Sequence, residues 1–228
     1  MHFEVLTLFP EIFKSFLSES LICKALEKQI FSIGFYNFRE HGLGKHHKVD
    51  DLPYGGGPGM VLRPEPVIHA IESCQKRLET NYSSVGKVLL TPQGERFSQK
   101  TAGRLLDQYP AIMLICGRYE GFDERIRTQV DEEISGGDFI TLGGEVIAML
   151  MIEVISRLIP GVLGNQSSLE QESFAEGYLE YPQYTRPETF RGMTVPDVLL
   201  SGHHQNIHEW RQDQIRLRTL KRRPDLLH

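Results

Sequence analysis

The sequence predicts an α/β domain built on a largely parallel sheet, joined to a small helical module. Three observations predict it. Apolar runs of strand length recur along the first half of the chain, amphipathic stretches of helical length separate them, and an arginine-rich amphipathic segment lies near its end.

Taken in order, FEVLTLF from Phe3 reads as a strand, the stretch near 11 to 28 as a helix and FSIGFYNF from Phe31 as a second strand. A helix near 65 to 79, the strand KVLLT from Lys87, a helix near 98 to 108 and the strand AIMLIC from Ala111 complete the alternation. In such sheets ligands gather outside the carboxyl ends of the strands. KVLLT runs at once into PQGERF and AIMLIC into GRYEGFDE, so both loops are expected to face one pocket. From Gly143, GGEVIAMLMIEVISRLIPG reads as a long, mostly buried helix that starts beside a glycine pair and stops at Pro160-Gly161. The predicted organisation is a first domain over 1–160, a flexible connector over 161–175 centred on NQSSLEQES, and a helical domain over 176–228. The connector is expected to be mobile. In the last domain Ile207 and Trp210 share one helix face and arginines occupy the others.

The chain of 228 residues can bury an adequate core without disulfides or metals. Cys23, Cys74 and Cys116 are odd in number and sit in apolar segments, which reads as reduced thiols. The start MHFEVLTLFPEIF lacks the basic and apolar regions of a signal peptide, and no run of about 18 apolar residues occurs. A soluble cytoplasmic protein with no membrane contact is expected. A net charge of −5 argues against indiscriminate coating of nucleic acid, which phosphate neutralisation drives. Distribution qualifies that sum: Arg211, Arg216, Arg218, Lys221, Arg222 and Arg223 stand together, and so do Lys45, His46, His47 and Lys48. Each group is either a phosphate footprint or a solvated basic face. The histidines have no ligand spacing beyond His204-x-x-x-His208, so no metal site is expected.

Three glycine-built loops carry the chemical signal. DDLPYGGGPGM at 50 to 60 places four glycines in the five positions 55 to 59, where backbone can approach a flat or phosphorylated group closely. It is not a Walker A loop, because Met60-Val61-Leu62 follows where a lysine and a hydroxyl residue are needed. In CGRYEGFDER, Asp123, Glu124 and Arg125 suit a surface ion-pair network, whereas Tyr119 and Glu120 are better placed to touch a ligand. A carboxylate at 120 would accept from ribose hydroxyls or balance a cationic group. GGDFITLGGE at 136 to 145 brings a further glycine pair to the positive end of the long helix. Finally, Arg157 and Glu172 flank RLIPGVLGNQSSLEQE, so a guanidinium and a carboxylate could meet across one loop and take a proton from an acidic ring nitrogen. Taken singly, Arg157 also suits a snorkelling surface residue and Glu172 a solvated one.

The set DDLPYGGGPGM, LLTPQGERFSQ, ICGRYEGFDERI, GGDFITLGGE, SRLIPGVLG, ESFAEG, YPQYTRPETFRGMTVPDVLLSGHH and RRPDLL closely resembles the bacterial tRNA (guanine-N1)-methyltransferase family, over nearly the whole chain. The resemblance implies a SPOUT-type α/β fold with a deep trefoil knot and a small α-helical C-terminal domain. It implies transfer of the methyl group of S-adenosylmethionine to N1 of the guanosine 3′-adjacent to the anticodon, by a homodimer that binds tRNA. Carried over by position, the cofactor pocket would use Leu90, Thr91, Pro92, Gln93, Gly117, Tyr119, Glu120, Gly136, Gly137, Asp138, Phe139, Ile140, Thr141, Gly143 and Gly144. Asp50, Tyr54, Gly55, Gly56, Gly57 and Gly59 would hold the target guanine, with Glu172 as general base and Arg157 assisting at the base's oxygen. Two departures stand out. Glu172 occupies the place of the family's usual aspartate, and Gly136, Thr141 and Ile147 replace apolar or proline positions of the adenine pocket.

Overall fold

The computed structural model describes residues 1–165, 169 and 172–227. Residues 166–168, 170 and 171 of the predicted connector lie outside the described residues, as does His228. The chain divides into two compact units, Met1–Gly164 and Asn165–His228.

The first unit holds five parallel strands in the order β2-β1-β6-β5-β7. These are β1 (His2–Leu6), β2 (Ser32–Tyr36), β5 (Val85–Arg96), β6 (Ala111–Cys116) and β7 (Glu132–Ser135). The short pair β3 (Asp50–Asp51) and β4 (Val61–Leu62) is antiparallel and brackets the glycine-rich loop. Both β1 and β6 are buried along their whole length, which is why AIMLIC reads as a continuous apolar run rather than an alternating one. Alternate side chains feed two cores. Ile112 and Leu114 pack on one face with α4 (Gln99–Gln108) and α5 (Glu145–Leu158), and Met113 and Ile115 pack on the other with α3 (Pro64–Leu78). Each such side chain contributes about 1.5–3 kcal/mol of burial.

Two expectations are revised. The helix predicted near 11 to 28 is broken into a 3-10 turn at Pro10–Phe13, α1 (Lys14–Leu17) and α2 (Ser20–Glu27), with a left-handed φ of 65° at Ser20. KVLLT does not end where PQGERF begins: β5 bulges between Leu90 and Glu95 against β7 and then resumes pairing as far as Arg96. The bulge pushes residues 91–94 out of the ladder at the carboxyl edge of the sheet.

Helix α4 starts at Ser98, whose hydroxyl accepts from the Thr101 amide at 3.2 Å. Inside this helix a Cβ added at Gly103 would meet no atom within 4 Å. Gly103→Ala is therefore expected to stabilise the protein by about 0.5–1 kcal/mol, read as a rise in the urea midpoint at unchanged slope.

The second unit contains the hairpin β8 (Thr189–Phe190) and β9 (Met193–Thr194), the short α6 (Asp197–Leu200) and the long α7 (His204–Arg222). The hairpin was not foreseen. Its turn places Arg191 and Gly192 at φ 51° and 78°, and with only two residues per strand it has no apolar run to announce it. Ile207 and Trp210, expected to share one helix face, are both half-buried on α7, and so is Arg211.

Candidate functional site

At the carboxyl ends of β5, β6 and β7 the first unit encloses a cavity of about 340 Å³. Leu90, Thr91 and Pro92 come from the β5 bulge, and Gly117 to Phe122 from the loop after β6. Ile134, Ser135 and Gly136 end β7, and Phe139 to Gly144 lead into α5, which adds Ile147. The two loops after KVLLT and AIMLIC thus share one pocket, as their strand positions predicted.

A buried ion pair fixes the pocket's frame. Glu145, the first residue of α5, is buried. It accepts from the Thr7 hydroxyl at 2.8 Å and from Arg118 Nε at 3.2 Å, and Arg118 Nη2 lies 3.0 Å from its second oxygen. The helix N-terminus favours the same negative charge. Arg118 also lies 4.5 Å from the centre of the Phe9 ring and donates to the Leu142 carbonyl at 3.3 Å. One guanidinium therefore ties the end of β1, the loop after β6 and the loop before α5 together. Backbone contacts reinforce it: the Gly144 amide donates to the Gly117 carbonyl at 2.9 Å, and Arg118 and Gly143 form a bridge. Burial, with the Glu145 carboxylate nearby, pushes the Cys116 thiol well up, so Cys116 is a neutral part of the core rather than a nucleophile.

Tyr119 is held at a left-handed φ of 60°, a strained conformation for a residue with a side chain. It leads into Glu120, whose carboxylate lines the cavity and forms no ion pair among the described residues. The glycine-rich loop is stitched onto this same loop. Glu120 donates its amide to the Met60 carbonyl at 2.9 Å, Leu62 donates to Gly121 at 2.9 Å and Asp123 to Leu62 at 3.0 Å. A Cβ at Gly59 would collide with the Glu120 carboxylate. Further out, Gly55, Gly56 and Gly57 have φ of 84°, 79° and 127° with open space around each, and Tyr54 is fully exposed. Asp50 pairs with Leu62 across β3 and β4, at the base of this loop.

Of the positions assigned to the cofactor, the cavity wall includes all but three. Gln93 accepts from Arg127 Nη2 at 2.6 Å, Gly137 donates its amide to the Ser135 hydroxyl at 3.2 Å, and exposed Asp138 lies 3.8 Å from Arg96. The expected surface pairing is present: Arg125 Nε donates to Asp123 at 2.8 Å and Glu124 accepts from Arg127 at 2.9 Å. Sequence reasoning missed Arg118 and Glu145 as a structural pair, and missed Ile134, Ser135 and Leu142 as wall residues. Thr7 and Glu145 are 138 positions apart, so no local pattern joins them.

Arg157 is half-buried in the last turn of α5, in the first unit. Glu172 belongs to the second unit and lines a small cavity there with Glu176, Glu180 and Arg216. Residues after it are fastened within that unit: Glu180 donates its amide to the Ser173 hydroxyl at 3.1 Å and Leu179 donates to Thr219 at 3.0 Å.

A family model described as tRNA (Guanine-1)-methyltransferase TrmD matches residues 1–228. Among curated relatives, a tRNA (guanine-N(1)-)-methyltransferase of Staphylococcus haemolyticus is 52% identical over 228 residues, covering 100% of this chain and 91% of that protein. Proteins of the same name from Halalkalibacterium halodurans and Staphylococcus aureus are each 51% identical with the same coverage.

Proposed function

The chain belongs to the tRNA (guanine-1)-methyltransferase family, and we propose that it carries out the transfer this name describes, on N1 of the guanosine 3′-adjacent to the anticodon. What carries this reading is the extent of the similarity, which runs through residues 1–228 and so includes every loop of the cavity.

The proposed methyl donor is S-adenosylmethionine, and the cavity fits it. Its volume of about 340 Å³ lies within the range of small-molecule sites. Leu90, Ile134 and Ile147 offer an apolar wall to a purine, and Glu120 offers an uncompensated carboxylate to ribose hydroxyls or a cationic group. When bound, the donor supplies a methyl group already activated by a positive sulfur. The chain's own task is then to orient the acceptor and to free the N1 lone pair, because guanine N1 carries a proton at neutral pH. In the proposed mechanism Glu172 accepts that proton as the N1–methyl bond forms and the sulfur–methyl bond breaks. Arg157 stabilises the negative charge that grows on O6. The glycine-rich loop at 55 to 59, with Asp50 and Tyr54, holds the target base against backbone.

Three finer features belong to the same proposal. The SPOUT-type knot would be formed by the segments around the cavity. A homodimer would cover the apolar side chains exposed there, since Leu142 is 91% and Val146 61% exposed beside half-exposed Phe9. Helix α7, with its basic residues, would contact the tRNA backbone from a C-terminal domain. Among the described residues no helix is long and apolar enough to cross a membrane, and the proposed site of action is the cytoplasm.

Incubation with labelled S-adenosylmethionine and unmodified tRNA, followed by nucleoside digestion and mass analysis, is expected to yield 1-methylguanosine. A ribose-methylated product, or none from a folded protein that binds tRNA, would reject the assignment.

A further inference from the structure

We propose that a cavity inside the C-terminal unit is a nucleotide pocket that receives one unstacked nucleotide of the tRNA. Its phosphate would lie against Arg186 and Arg211, and its base against Tyr184. This deepens the reading of the chain as a tRNA-modifying enzyme and rests on it.

The cavity measures about 390 Å³ and lies between the segment 181–188 and helices α6 and α7. Its apolar lining comes from Val195, Leu199 and Ile207. Arg211 sits with its guanidinium carbon 4.5 Å from the Tyr181 ring centre, which fixes the plane of the guanidinium. Its Nε is buried and meets no hydrogen-bond acceptor among the described residues. A buried guanidinium donor left unmatched is costly, and an anion in the cavity that Arg211 lines would offset that cost through the guanidinium's charge. Arg186 lines the same cavity, and among the described residues neither arginine has a carboxylate partner. Elsewhere in the same unit Arg223 is held by Asp225 at 2.7 Å. Two guanidiniums against the single Glu188 carboxylate leave the cavity lining with a positive excess and a local anion preference.

An inorganic anion alone does not account for the rest of the lining. Tyr184, half-exposed, offers a ring face on which any base can stack. Glu188, also on the cavity and without an ion-pair partner among the described residues, suits the amino edge of a base. Phosphate on arginine, ring on tyrosine and amine on carboxylate together describe a nucleotide with an exocyclic amine, such as guanosine monophosphate, more fully than they describe phosphate or a peptide.

The test uses the full chain and measures tRNA affinity as a function of salt for Arg186→Gln, Tyr184→Ala and Arg211→Gln. Each variant is expected to weaken tRNA binding roughly tenfold, and each arginine variant to lower the salt slope by about one. Guanosine monophosphate is expected to bind the parent and compete with tRNA more strongly than inorganic phosphate or uridine monophosphate, with this binding lost in Arg211→Gln. Arg186 and Tyr184 are exposed enough to be replaced without unfolding the unit, so they decide the matter if Arg211→Gln fails to fold. Unchanged tRNA affinity in those two variants overturns the proposal, and so does phosphate competing as well as the nucleotide. A protein that binds tRNA through these residues but forms no 1-methylguanosine would reject the catalytic reading and leave the pocket standing. Full methylation with silent variants would reject the pocket alone.

Discussion

Glu172→Gln is expected to slow single-turnover methyl transfer by roughly 10²- to 10⁴-fold, the range a positioned proton acceptor supplies. Guanine N1 has no available lone pair until its proton leaves, so a neighbouring amide, which has nearly the shape of the carboxylate but cannot accept that proton, should hold the tRNA and stall. The informative contrast is Glu172→Asp. Shortening the side chain by one methylene moves the carboxylate by about 1 Å, a displacement that can matter 10²-fold in a site where geometry is fixed. It also restores the residue usual in the family this chain resembles. Retention of more than about a tenth of the parent rate by the aspartate variant, beside near-silence of the amide, separates loss of proton transfer from loss of position. Dissociation constants for tRNA within a few-fold of the parent in both variants would locate the defect in the chemical step. An amide variant that methylates as fast as the parent removes Glu172 from the mechanism.

How far such a site is legible in sequence depends on what kind of contact builds it. Strands β1 and β6 are announced by apolar runs because both faces of a central parallel strand are buried; β2, at the other edge of the sheet, is announced by its aromatic and β-branched residues instead. Strand β7, EEIS, is not announced. It lies at the edge of the sheet, where charged residues are tolerated, and Glu132 takes both guanidinium nitrogens of Arg104 at 2.7 Å. The cavity's loops were legible because glycine and turn residues follow each strand directly. The pair that frames them was not, since Arg118 and Glu145 each read locally as ordinary surface charges and meet only after the chain has crossed the sheet. The bulge of β5 was hidden for a similar reason. Thr91-Pro92-Gln93-Gly94 reads as a loop in sequence, and only pairing on both sides of it, to Ile134 and Ser135 of β7, shows that the strand continues.

The glycines separate two physical demands that sequence alone cannot tell apart, and the difference leads to the second large expected effect. Gly55, Gly56 and Gly57 are needed for their left-handed φ in open space, whereas Gly144 has φ −76°, which any residue adopts. Its constraint is room. A Cβ at Gly144 would stand 2.8 Å from the Cys116 Cα and 3.0 Å from the Gly117 amide nitrogen, and these are backbone atoms of a fully buried strand end that cannot swing aside. Gly144→Ala must therefore push the start of α5 away from β6, stretch the Gly144–Gly117 hydrogen bond and disturb the Arg118–Glu145 pair that closes the cavity. Overpacking of this kind costs about 1–3 kcal/mol, so S-adenosylmethionine binding measured by calorimetry should weaken roughly 5- to 150-fold if the strain falls on the site. Gly103→Ala, in open space on α4, is the matched control and should leave that affinity unchanged. A Gly144→Ala protein that binds the methyl donor as tightly as the parent would mean that the cavity framed by α5 and the β6 loop is not where the donor sits.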